Sequence, residues 1–143
     1  MSTKEKQEQL VEQMKTWQKL ENATIRQTAQ ILEETNHPLI RMVTELIQRD
    51  SSMHYKVQQM IIDSLERDSV PVLVDELEKV WSSIDKHIQL ERKTVEVAQE
   101  SLKAIKGTHN VVQQYLLNYL LEDEKKHDKL LSDLELIKKK MYP

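Results

Sequence analysis

Helix-breaking residues are scarce in this chain and fall at three internal places. The 143 residues include one Gly and three Pro, one of which is the last residue. The breaks are Asn36-His37-Pro38, Asp68-Ser69-Val70-Pro71 and Lys106-Gly107-Thr108. Proline disfavours helical geometry in the residue before it, whereas Gly107 suits a helix C-terminal cap and Thr108 the next N-cap. The breaks therefore predict four helices, over about residues 3–35, 38–67, 72–106 and 109–141.

The four predicted helices are long and nearly equal in length. Each has about 30 residues, which corresponds to roughly 45 Å at the α-helical rise. Short connections between helices of equal length are typical of helical bundles, and a chain of 143 residues suits one domain. The sequence therefore predicts an all-α four-helix bundle over residues 1–143.

Composition and charge argue against several classes of protein. The 21 basic and 24 acidic residues give a formal net charge of -3, whereas a nucleic-acid binder needs a basic surface. No apolar run approaches the roughly 18 residues of a membrane span, and the N-terminus has no apolar signal core. We therefore expect neither nucleic acid nor membrane as a partner, and a cytoplasmic location. With no cysteine, a thiol nucleophile, a disulfide and a Cys-ligated metal centre are excluded.

A stripe of residues at alternating three- and four-residue steps follows each predicted helix. Each stripe is apolar at its ends and ionisable near its middle. The first two stripes are Leu10, Met14, Trp17, Glu21, Thr24, Thr28 and Ile31, and Ile40, Val43, Ile47, Asp50, His54, Val57 and Ile61. The last two are Leu73, Leu77, Val80, Ile84, His87, Glu91, Thr94 and Ala98, and Leu116, Leu120, Asp123, His127, Leu130, Leu134, Ile137 and Met141, with Glu124 beside the fourth.

The two halves of the chain match each other at polar stripe positions. A shift of 70 residues lays Glu21 on Glu91, and a shift of 73 residues lays His54 on His127. Amphipathicity alone would not select matching polar residues, so we interpret the match as an internal duplication. Antiparallel hairpins folded at the first and third breaks would bring these acids and imidazoles level with one another.

The polar stripe residues form a set suited to metal ions. Glu124-Lys125-Lys126-His127 is a Glu-x-x-His sequence, whose spacing places a carboxylate and an imidazole on one helix face. Burying several carboxylates together is unfavourable unless cations lie between them. Carboxylates with neutral imidazoles suit iron or manganese and also allow zinc. The candidate ligands are Glu21, Asp50, His54, Glu91, Glu124 and His127.

This pattern resembles the ferritin-like di-iron carboxylate superfamily, including its rubrerythrin-like members. The resemblance covers the whole chain and is carried by Glu21, His54, Glu91, Glu124 and His127. It implies a ferritin-like bundle of two helical-hairpin repeats, with a dinuclear iron or manganese site bridged by two glutamates. It also implies dioxygen or peroxide chemistry, or iron handling. Because the chain has no cysteine, an electron donor for redox chemistry would have to be another protein.

Two features depart from the pattern of that superfamily. A carboxylate is expected three residues before His54, where this chain has Ser51, and Asp50 could substitute for it. A long crossover is expected between helices 2 and 3, which requires residues 68–76 to run extended, with Asp75 capping helix 3. An up-down-up-down bundle is the alternative topology.

Other interpretations of the polar stripe residues stay open at this point. His87, four residues before Glu91, could be an extra ligand, although a histidine packed beside the ligands is the simpler interpretation. The polar residues could also form a metal-free network that sets helix register. The chain would then be a helical interaction module that acts through its surface or through a homodimer interface.

Overall fold

Four α-helices follow one another in the computed structural model, which describes residues 1–67 and 74–141. The helices are α1 (Thr3–Glu34), α2 (Pro38–Glu66), α3 (Val74–Ala104) and α4 (Val111–Met141). The residues in these ranges include no strand. The prediction of an all-α chain with four helices is confirmed, and each helix end falls within two residues of its expected position.

Local hydrogen bonds explain the first hinge, between α1 and α2. His37 is the N-cap of α2, where its Nδ1 accepts a hydrogen bond from the Leu39 amide at 3.2 Å. Pro38 takes the first helical position, where its missing N–H costs nothing. The Arg41 guanidinium donates to the Leu32 carbonyl oxygen near the end of α1, at 2.6 Å. The hinge therefore satisfies both helix ends with few residues.

At the other two breaks, some of the predicted caps and connections are confirmed and others are not. Gly107 has a φ of 79°, the left-handed conformation expected of a C-terminal cap. Thr108 is not the N-cap of α4, because that helix begins at Val111; its hydroxyl instead donates to the Ile105 carbonyl at 2.6 Å. The predicted break at residues 68–71, residues 68–73 of the predicted extended crossover and the stripe residue Leu73 lie outside the described residues. Residues 74–76 are helical and not extended, because α3 begins at Val74. Asp75 therefore lies inside the first turn of α3 and is not the cap that was predicted.

The chain divides into two compact units, residues 1–70 and 71–143. In the first unit α1 packs against α2, and in the second α3 packs against α4. Contacts across each pair run antiparallel. In the first unit Gln18 binds Gln59 and Gln48 binds the Ile25 carbonyl. In the second unit Arg92 binds Asp128 and Gln114 binds the Ile105 carbonyl. Each unit is therefore a helical hairpin, as the prediction of two hairpin repeats requires.

The face that α2 turns towards α1 differs from the predicted stripe by one residue. Ile47 and Val57 of the predicted stripe are 47% and 54% exposed, whereas Ser51 and Gln58 are buried. One residue turns a helix by about 100°, and the apolar surface of α2 is wider than one line of contacts. A sequence stripe therefore indicates an apolar side without deciding which line of residues meets the neighbouring helix.

The second hairpin shows the same one-residue difference in α4 and a closer match in α3. Leu77, Glu91 and Ala98 of the predicted α3 stripe are buried, whereas Leu120 and Leu130 of α4 are 47% and 62% exposed. Several large apolar side chains are thus exposed in each hairpin. Even so, none of the four helices, over the ranges described, is long and apolar enough to cross a membrane.

Candidate metal centre

The first hairpin carries a buried carboxylate at mid-height. Glu21 on α1 is only 6% exposed, and its Oε1 lies 3.4 Å from Nδ1 of His54 on α2. The Gln58 side-chain amide donates to the same Oε1 at 3.4 Å. The hairpin therefore brings Glu21 level with His54, as the hinge position predicts. Gln58 is an unpredicted partner, because a glutamine one turn beyond a histidine has no distinctive signal.

Asp50 does not join this group. Its side chain is exposed, and it makes no hydrogen bond or ion pair with any described residue. The next residue, Ser51, takes the buried position because α2 turns its Ser51 side towards α1. A ligand role for Asp50 stays a prediction with no contact to support it.

The second hairpin places Glu91 of α3 between two imidazoles. Glu91 is 6% exposed, the same fraction as Glu21. Its Oε1 lies 2.8 Å from Nε2 of His87, one turn earlier on α3, and 3.5 Å from Nδ1 of His127 on α4. Glu91 and His127 thus meet across the hairpin as predicted. His87 contacts the same oxygen.

A second carboxyl group completes this cluster. Glu91, Glu124 and His127 each offer one ligand atom, and these atoms lie within 4.8 Å of one another. The Thr94 hydroxyl donates to Glu124 Oε2 at 2.8 Å and holds that side chain against α3. Among the described residues, this is the one group of three or more acids and imidazoles with such spacing.

The two carboxyl groups perturb each other's ionisation. The neighbouring Glu124 carboxyl lowers the pKa of Glu91, and a hydrogen bond with His87 acts in the same direction while burial opposes both. The neighbouring Glu91 carboxylate raises the pKa of Glu124, against the effect of the Thr94 hydroxyl. The main cause of both shifts is a hydrogen bond between the protonated Glu124 carboxyl and the ionised Glu91, and repulsion between the two charges also raises the pKa of Glu124. Glu124 therefore keeps its proton to a higher pH than usual while Glu91 ionises early.

One oxygen of the Glu91 carboxylate has no partner. Oε2 is buried and makes no well-aligned hydrogen bond, even though the Glu124 carboxyl group is close. The other oxygen, Oε1, contacts His87, just as Oε1 of Glu21 accepts the Gln58 amide. In the first hairpin the unpartnered atom is instead the Gln58 amide oxygen, which carries no charge. An ionised carboxylate oxygen left without a partner in a buried position is costly unless a cation or a donor meets it.

A carboxylate lies beside the ring nitrogen of His127 that faces away from Glu91. Its Nε2 lies 3.3 Å from Asp123 Oδ2, while its Nδ1 faces Glu91. A proton on Nε2 directed at Asp123 leaves the lone pair of Nδ1 directed at the cluster. Histidines that bind metals typically make such a bond through their other ring nitrogen. The sequence signal for this role was the four-residue spacing of Asp123 and His127.

Comparisons with protein-family models, curated proteins and solved structures gave no match. The fold and the geometry of the site therefore define a broad class of protein and do not identify the superfamily that the sequence pattern resembles. The chain is an all-α protein with two helical hairpins, and each hairpin pairs a buried glutamate with a histidine of the opposite helix. Membership of the ferritin-like superfamily stays a prediction.

Proposed function

We propose that this chain is a metal-binding protein whose second hairpin binds a divalent cation through Glu91, Glu124 and His127. The observation that carries the proposal is the buried Glu91 carboxylate, with Oε2 unpartnered and a second carboxyl group beside it. A cation would take the place of the proton that Glu124 holds beside Glu91 and would balance the charges of both carboxylates.

The chemistry of the donor atoms narrows the choice of metal. Two carboxylates and a neutral imidazole favour iron or manganese and also allow zinc, whereas magnesium prefers oxygen alone. The resemblance to di-iron carboxylate proteins extends this proposal to the chemistry of an iron or manganese centre. The same resemblance extends the proposed function to dioxygen or peroxide chemistry, or to iron handling, with electrons supplied by another protein.

Metal analysis of matched variants tests the proposal. The wild-type chain and a Glu124→Gln variant are freed of metal, incubated with Fe(II), Mn(II) or Zn(II), desalted and analysed for bound metal. Glu122→Gln is the control, because Glu122 is an exposed acid on the same helix, 3.9 Å from Lys125 and outside the cluster. Each variant loses one carboxylate from α4, so a difference in bound metal between the two variants reports the contribution of the Glu124 carboxylate.

We expect the wild type and Glu122→Gln to retain at least one of these metals, and Glu124→Gln to bind it about tenfold more weakly or worse. If the wild-type chain retains none of the three ions, the proposal is refuted. Equal retention by all three proteins would place the metal elsewhere on the chain and would also contradict it.

A second candidate function is a helical interaction module, and the exposed apolar side chains favour it. Ile47, Met53, Val57 and Met60 of α2 are 47%, 55%, 54% and 61% exposed. Surfaces of this kind commonly mark contacts with another protein. The version that we propose is a homodimer, in which a second copy of the chain covers these residues.

Light scattering coupled to size-exclusion chromatography distinguishes this candidate. A homodimer gives twice the mass of the chain, and Met53→Lys with Val57→Lys returns it to the monomer mass. The control is Ser52→Lys, which adds a charge at a neighbouring exposed position that is already polar. A wild-type chain that runs as a monomer over a wide range of concentrations would rule out the homodimer.

A further inference from the structure

The two hairpins differ at two positions where the second hairpin has a side chain that can bind a metal ion. With the 70-residue shift that lays Glu21 on Glu91, His87 corresponds to Trp17. With the 73-residue shift that lays His54 on His127, Glu124 corresponds to Ser51. The second hairpin therefore has one more imidazole and one more carboxylate than the first, whose buried pair is the Glu21 carboxylate and the His54 imidazole.

The buried glutamates of the two hairpins, Glu21 and Glu91, also have different neighbours. Glu21 receives a neutral amide from Gln58, and the corresponding position in the second hairpin is Leu131, which has no donor. In the second hairpin His87 contacts Glu91 Oε1 in place of an amide, and Glu91 Oε2 is buried without a hydrogen-bond partner. The second hairpin therefore has a buried carboxylate oxygen that a cation could meet.

The spacing of Glu91, Glu124 and His127 in the second hairpin fits one ion, and His87 lies beside this group. Ligands held at about 2.1 Å in tetrahedral geometry lie roughly 3.4 Å from one another. His127 Nδ1 is 3.5 Å from Glu91 Oε1, and His87 Nε2 is 2.8 Å from the same oxygen. The His87 side chain is about half exposed, which leaves its ring room to turn from Glu91 Oε1 towards an ion held by the other three groups.

We infer that the second hairpin holds a single divalent ion by itself, with His87 as a fourth ligand beside Glu91, Glu124 and His127. This inference rests on the proposed metal-binding function and specifies its ligands and stoichiometry. Two imidazoles and two carboxylates favour a borderline cation of the zinc, cobalt(II) or iron(II) type over manganese. Asp123 orients one of the two imidazoles and is not itself a ligand.

Titration of the full chain with cobalt(II) tests this assignment, because the visible absorption of the ion reports its geometry and its nitrogen ligands. The variants are His87→Ala and a Glu21→Gln/His54→Ala double variant. His109→Ala is the control, because His109 is an exposed histidine in the α3–α4 connection, outside the cluster. Circular dichroism checks that each variant keeps its helices.

We expect one cobalt(II) ion per wild-type chain and an affinity about tenfold lower or worse in His87→Ala, with an altered visible spectrum. The control and the double variant should match the wild type. A His87→Ala protein with the wild-type spectrum and affinity, two ions per chain, or weaker binding in the double variant would overturn the inference while leaving the metal-binding proposal standing. A wild-type chain that binds no cobalt(II), iron(II), manganese(II) or zinc(II) would refute both.

Discussion

Glu91→Gln is the substitution that separates a metal ligand from a structural polar residue most cleanly. Glutamine keeps the size of the side chain and removes its charge. The chain also supplies a matched control, Glu21→Gln, because both glutamate side chains are 8% exposed. Each lies 3.4 to 3.5 Å from a histidine of the opposite helix. The two variants therefore differ in whether the carboxylate belongs to the three-ligand cluster.

The expected size of the effect follows from linkage between binding and folding. A cation present at one hundred times its Kd stabilises the native chain by about 2.7 kcal/mol. In a protein of about this size, 1 kcal/mol moves Tm by about 2–4 °C, so saturating metal should raise the wild-type Tm by about 5–10 °C. Glu91→Gln removes the carboxylate that contacts both imidazoles, so its metal-induced shift should fall below about 2 °C.

Thermal unfolding followed by circular dichroism measures this shift at pH 7.5, for each protein with and without Zn(II) or Fe(II). The comparison uses only the difference between the loaded and the metal-free protein. Either substitution can change the stability of the metal-free chain by itself, because it alters the charge near an imidazole. Equal metal-induced shifts in Glu91→Gln and Glu21→Gln, or a shift lost only in Glu21→Gln, would refute the reasoning.

Three further predictions follow from single residues. In the metal-free chain, Glu124→Gln should raise Tm at pH 8 and have little effect on Tm near pH 4. The pKa of Glu124 is raised, so its ionisation beside Glu91 lowers the stability of the fold only as the pH rises through that pKa. Glutamine does not ionise and therefore avoids this loss. A gain that does not depend on pH would contradict this. Gly107→Ala should lower the free energy of unfolding by about 1–2 kcal/mol in urea titrations, because φ at this residue is 79°. No loss would show that the turn adapts to a side chain. Ser51→Glu should add a second metal ion per chain, measured by isothermal titration, since it places a carboxylate at the buried position that corresponds to Glu124 in the second hairpin. An unchanged stoichiometry would count against that prediction.

The number of helices and their ends were predictable from the sequence, because the signals are local. A proline restricts the residue before it, and a glycine accepts the left-handed φ that ends a helix, whatever the rest of the chain does. The pairing of Glu21 with His54, and of Glu91 with His127, was also predictable. The position of a hinge alone determines which residues of an antiparallel hairpin lie at the same height.

The side of each helix that meets its neighbour was decided by the tertiary structure. Asp50 and Ser51 are adjacent in sequence, yet one is exposed and the other buried, because one residue corresponds to about 100° around the helix. Periodicity indicates a broad apolar side, and only packing against the partner helix selects the line of contact within it. The Gln58 bond to Glu21 and the unpartnered oxygen of Glu91 depend on that choice, so neither could be derived from the residues alone.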